Sequence, residues 1–125
     1  MIWTFKDDRP IYSQLVDLIK IGIVSSEWQP GSKLPSVRDL AEEAGVNPNT
    51  MQRALADLER DGLVYSKRTS GRYITEDNDM IDSVRKAIAA ENISSFIDSM
   101  KKLGFTPQEA LEAFKSAVEG GERNE

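Results

Sequence analysis

Asn49, Thr50, Gln52 and Arg53 crowd the start of the run NPNTMQRALADLER. Their side chains match the edges of nucleobases. An Asn or Gln amide pairs with adenine in bidentate fashion, an Arg guanidinium pairs with guanine, and a Thr hydroxyl serves either. Further along, Lys67, Arg68 and Arg72 surround Gly71 in SKRTSGRY. Clustered positive charge of this kind suits a phosphodiester backbone. Arg38 lies in LPSVRDLA, in the first turn of an expected helix, where a cation sits slightly unfavourably against the helix dipole. A phosphate held jointly by that helix end and the guanidinium is one reading. An ordinary surface ion pair is the other.

These residues need elements to hold them. Pro10 in DRPIYSQL stands near the first position of a helix whose apolar side is Ile11, Leu15, Leu18, Ile19 and Ile23. QPGSKLP ends that unit. Ser36 and Asp39 form a short capping box for a second helix, with Val37, Leu40, Ala41 and Ala44 as its stripe and Gly45 as its stop. Asn47 is a good N-cap for a third helix, with Pro48 at N1 and Val46 and Met51 placed for a hydrophobic staple. Turning roughly 100° per residue puts Met51, Leu55 and Leu58 on the buried side and Asn49, Arg53, Ala56 and Arg60 opposite. Thr50 and Gln52 flank that outer side. On an isolated helix this is a solvated face. Here the short turn AGVN joins two capped helices, which is helix-turn-helix geometry, and the start of the second helix then meets base edges. LVYS and GRYIT follow, separated by a basic tip, as a β-hairpin.

The pattern changes after position 75. Met80, Ile81, Val84, Ala87 and Ile88 form one stripe, and Ile93, Phe96, Ile97, Met100 and Leu103 another out of phase with it, so one long helix and a bent one both fit. TPQE starts a last helix, with Thr106 as N-cap, Pro107 at N1, Glu109 at N3, and Ala110, Leu111, Phe114 and Val118 as its apolar face. GGERNE reads as a frayed tail.

Composition narrows the function classes. The 125 residues contain neither Cys nor His, which removes disulfides, thiolate chemistry, the commonest metal ligand and the commonest general base. No signal peptide or membrane span is expected, and a cytoplasmic protein is the simplest reading. The net charge of −5 divides unevenly. Residues 1–75 hold ten Lys+Arg and ten Asp+Glu, and residues 76–125 hold six and eleven, which together make the 16 and 21 of the whole chain. The acidic run EDNDMID lacks the glycine and terminal Glu of a calcium loop, and acids at a helix start complement its dipole, so no metal is expected. No nucleophile–base pair is visible. Neither an enzyme nor a cofactor is expected.

From PGSKLP to GRYIT the chain resembles the GntR family of bacterial transcription regulators, over residues 9–75. The resemblance rests on LPSVRDLA, on Thr50 and Arg53 as a Thr-x-x-Arg pair, on Leu58 with Asp61-Gly62-Leu63 and on the wing glycine Gly71. NPNTMQRAL and LGFTPQEALEAF look like the YtrA-type subfamily. The resemblance implies a mainly α fold with a small β-hairpin: a winged helix-turn-helix domain at 1–75, then a short two-helix dimerisation tail at 76–125. It implies a repressor that binds double-stranded operator DNA as a homodimer, and genes of this type often adjoin ABC transporter genes. Half-sites in a palindrome then follow. On this reading Asn49, Thr50, Gln52 and Arg53 read bases. Ser36, Arg38, Asn47, Lys67, Arg68, Gly71 and Arg72 hold the backbone. Ile81, Val84, Ile88, Phe96, Ile97, Met100, Leu111 and Phe114 carry the dimer. The chain departs from the family at Pro48 and Gln52, where many members have a DNA-contacting Arg, and in a wing with one glycine and the added Arg72. The alternative is a winged-helix protein-interaction module that uses its acidic tail. Trp3, Phe5 and Trp28 read as core rather than as an effector pocket, and the residues identify no small-molecule effector.

Overall fold

The computed structural model describes residues 1–123. It contains α1 (Ile11–Val24), α2 (Val37–Ala44), α3 (Pro48–Arg60), β1 (Val64–Lys67), β2 (Gly71–Ile74), α4 (Asn78–Lys102) and α5 (Pro107–Arg123). The fold is mainly helical with one antiparallel hairpin. It divides into two compact units, Met1–Arg85 and the residues from Lys86 onward, so the division falls inside α4. Among the described residues no helix is long and apolar enough to cross a membrane.

The first unit is built largely as the apolar periodicity expects, except that Ile11, counted on the apolar side of α1, is 40% exposed at the helix start. Leu15, Ile19 and Ile23 of α1, Leu40 of α2, and Met51, Leu55 and Leu58 of α3 are buried together with Leu63, Val64 and Ile74. Residues three and four apart share one helix face, so each helix turns one apolar side inward and leaves the other to solvent. The joint between α2 and α3 is set locally. Gly45 adopts φ 72°, a left-handed conformation that glycine reaches without a Cβ penalty. The Asn47 side chain then accepts a hydrogen bond from the Asn49 N–H at 2.8 Å and opens α3.

Three features of this unit are absent from the sequence reading. The segment 31–34 does more than end α1. Gly31 N–H donates to Ile74 O, Ile74 N–H to Ser32 O and Leu34 N–H to Arg72 O, which lays this segment against β2. Gln14 is buried at 3% exposure, with its amide donating to the carbonyls of Lys6 and Arg9 and accepting from Lys6 N–H. A buried amide satisfied in this way pins the segment before α1. Gly22 faces Trp28 so closely that an added Cβ would lie 2.7 Å from the indole ring. The acidic run has a capping role: Asp77 accepts from Met80 N–H at 3.1 Å, and Asp82 pairs with Arg85 at 3.0 Å. Arg85 also donates twice to Val24 O, at 2.9 and 2.7 Å. No cluster of three or more acids suited to a metal occurs among the described residues.

In the second unit, Thr106 and Glu109 complete a reciprocal capping box. Glu109 N–H donates to Thr106 Oγ1 at 3.1 Å, and Thr106 N–H to Glu109 Oε1 at 3.0 Å. These bonds hold the Glu109 carboxyl below its ordinary pKa, the backbone bond from Thr106 contributing most. Phe96 and Phe114 meet edge to face at 6.2 Å. Ile93, Phe96, Ile97, Pro107, Ala110, Leu111 and Phe114 line an apolar cleft of about 330 Å³.

The tail settles one open choice and revises one expectation. Residues 78–102 form one continuous helix, because the phase change moves the apolar side round the axis without a Pro or Gly to break the backbone. Ile81, expected at a dimer contact, is 4% exposed and packs into its own chain's core, which leaves it no surface for a partner. Helix α5 continues through Gly120 and Gly121 to Arg123, into the GGERNE segment expected to fray. A glycine costs a helix interior only about 1 kcal/mol relative to Ala, which a capped helix absorbs. Asn124 and Glu125 lie outside the described residues.

Candidate nucleic-acid interface

Helix α3 presents Asn49, Gln52 and Arg53 on the surface, with Thr50 half-buried beside them. Pro48 fixes the first turn, and the buried stripe opposite holds the helix against α1 and α2. The exposed side therefore cannot rotate without unpacking the core. Asn47 and Ser36 are both engaged as caps, Asn47 on Asn49 N–H and Ser36 on Asp39 N–H at 3.1 Å. Each keeps spare acceptor capacity, and the Ser36 hydroxyl proton stays available to an anion.

A groove of about 780 Å³ runs between the start of α2 and the hairpin. Lys33, Ser36, Lys67, Gly71 and Arg72 line it, as does the acidic Asp39. Helix α2 begins there, so the N–H groups of its first turn and the lysines face the same space. The structure thus brings together four of the expected backbone-holding residues. It also adds Lys33, which the sequence reading missed. Its signal was the extended run KLP: an extended strand edge beside the hairpin carries alternate side chains to one face. An added Cβ on Gly71 would lie 3.1 Å from Lys33 Cε, and Gly71 itself has φ 121°. The glycine therefore lets lysine and hairpin approach.

The expected cations are not equivalent. Arg38 and Arg68 are exposed, and neither joins any ion pair found among the described residues. Lys67 Nζ sits 4.3 Å from the centre of the Tyr73 ring. Arg72 is drawn back: its Nε lies 3.4 Å from Glu59 Oε1, an oxygen that also accepts from Ser66 Oγ at 2.6 Å. Arg60, on the outer side of α3, pairs with Asp57 at 3.0 Å. Arg53 is the surprise. Helical periodicity directs it to open solvent, yet its guanidinium carbon lies 3.7 Å from the centre of the Tyr12 ring on α1.

Residues 11–74, from α1 through the hairpin, match the model of the bacterial regulatory proteins of the gntR family. The HTH-type transcriptional regulator YhcF of Bacillus subtilis is 41% identical over 117 residues, covering 94% of this chain and 97% of the relative. The HTH-type transcriptional repressor YtrA of the same organism is 30% identical over 128 residues, covering 96% and 95%. A GntR family transcriptional regulator from Listeria monocytogenes superposes with a TM-score of 0.82 at 40% identity, covering 90% of this chain and 98% of that one. The AraR DNA-binding domain solved in complex with operator ORX1 matches 58% of this chain and 93% of its own length, at 27% identity and a TM-score of 0.54.

Proposed function

This chain belongs to the GntR family and is a transcription regulator with a DNA-binding domain rather than an enzyme, and on that premise we propose that it is a cytoplasmic repressor that binds a palindromic operator as a homodimer. The observation that carries the reading is the placement of Asn49, Gln52 and Arg53 on the free side of α3, beside the lysine-lined groove between α2 and the hairpin. Asn49, Thr50, Gln52 and Arg53 read base edges in the major groove. Ser36, Arg38, Asn47, Lys67, Arg68, Gly71 and Arg72, now with Lys33, hold the backbone. Arg72 keeps its terminal N–H donors for phosphate while its Nε faces Glu59. The AraR domain's operator complex supports DNA as the partner.

The homodimer rests on the second unit. Ile93, Leu111, Phe114 and Val118 are at least 45% exposed there, a concentration that a small unit does not leave to water without cause. Ile88, Phe96, Ile97 and Met100 supply its flanks, and Val84, in the first unit, is the remaining candidate contact. Control of an ABC transporter operon is the regulatory role that the YtrA-type resemblance suggests. Selection from a random-sequence DNA pool tests the main reading. The expected product is an inverted repeat whose centres lie one or more helical turns apart, bound with steep salt dependence. Enrichment of no sequence would refute it.

A further inference from the structure

The reading helix does not work from its own residues alone. Tyr12 stands in the second position of α1, outside the helix-turn-helix, half-buried, with its ring face under Arg53. The 3.7 Å separation is well inside the range of a cation–π contact. A guanidinium has two kinds of surface. Its flat face stacks on aromatic rings, while its N–H donors all point outward in the plane. Stacking on Tyr12 uses only the face. The in-plane fork that pairs with guanine O6 and N7 stays open. A salt bridge would have engaged in-plane donors, as Glu59 does at Arg72 Nε and Asp57 at one terminal nitrogen of Arg60. Arg53 is therefore restrained without being occupied.

We infer that Tyr12 is a positioning residue for DNA recognition: its ring holds the Arg53 guanidinium in a base-ready orientation on α3, so that α1 contributes to sequence discrimination. This rests on the reading of Arg53 as a base-contacting residue. A long side chain ordered before binding loses less rotamer freedom on complex formation. Tyr12 is anchored for the task. It lies two residues before the buried Gln14, which ties α1 to the preceding segment, and three before the buried Leu15. The ring's platform is thus fixed to the same core that fixes α3.

The test is a set of variants in the full chain, measured against the sequence selected from random DNA and against a scrambled duplex. Tyr12→Phe keeps the ring and should bind both as the native chain does. Tyr12→Leu should lose about five-fold on the selected sequence and little on the scrambled one. In an Arg53→Ala background Tyr12→Leu should cost nothing further. Loss in Tyr12→Phe equal to that in Tyr12→Leu would mean that the hydroxyl acts directly, and would overturn the proposal. So would equal losses on both duplexes, the same loss in the Arg53→Ala background, or tighter binding by Tyr12→Leu, which would make the stack inhibitory. If thermal melting shows that Tyr12→Leu does not fold, Tyr12→Met carries the test. It keeps a long apolar side chain but has no π face for Arg53, and should reduce discrimination, whereas unchanged discrimination would overturn the idea. A native chain that selects no sequence removes the underlying reading as well. A native chain that selects one while Tyr12→Leu discriminates equally removes only this inference.

Discussion

Arg53 and Lys67 illustrate how two cations on one surface differ in what they can contribute. Arg53 offers a planar fork on the exposed side of α3, proposed to face bases, and Lys67 offers a point charge on a hairpin that lines the groove beside α2. Arg53→Ala should therefore cost about 1–3 kcal/mol on the selected sequence and relax choice at one base position. Lys67→Ala should weaken all sequences similarly and reduce the slope of log K against log salt by about 1. Binding isotherms at several salt concentrations separate the two. The exposure of both residues was legible in the sequence, because helix and hairpin periodicity place them away from the core. The partners that restrain them, Tyr12 and Tyr73, were not: each comes from a different element and meets its cation only in the folded chain.

Elements show a similar division. The caps at Ser36, Asn47 and Thr106 were legible because capping is a local affair of residues two or three apart. Glu109 adds a pH dependence to α5. Its folded pKa is lowered, so its contribution is present above the unfolded pKa and is lost as pH falls through the folded one. The native chain should be more helical than Glu109→Gln at neutral pH. That difference should close as circular dichroism is followed below the ordinary glutamate pKa of about 4.3. Gly22 was not singled out in the sequence, where it looks like a weak point in α1. The close approach of Trp28 gives it a packing reason. Gly22→Ala should destabilise the first unit by about 1–3 kcal/mol through overpacking, visible as a lower midpoint in thermal melting, although Ala is the better helix former.

For the molecule as a whole, charge and apolar surface are separated along the chain. The residues up to 75 carry balanced charge, with the cations grouped on the hairpin and near α2 and α3, while the later residues are acidic and expose large apolar side chains. A sum of −5 therefore says little about a nucleic-acid partner. Phe114→Asp places a charge on the most aromatic part of the second unit's exposed side. Sedimentation should show the native chain as a dimer and this variant as a monomer, with weaker binding to an inverted repeat because two half-sites are no longer engaged together. A native chain that sediments as a monomer at micromolar concentration would rule out the dimer.

The sequence alone determined the helix-turn-helix, its caps, the hairpin and the residues that face away from the core on α3. All of these follow from spacing within a few residues, where helix and strand periodicity act directly. Tertiary structure decided which of the outward residues remain open. Arg53 lies on Tyr12, Arg72 on Glu59 and Arg60 on Asp57, while Lys33 enters the groove through pairing of its segment with β2. It also assigned Ile81 to the core and joined the two tail stripes in one helix. Such pairings depend on how separate elements cross. A stripe along one helix specifies which side is buried, and only packing specifies what covers the rest.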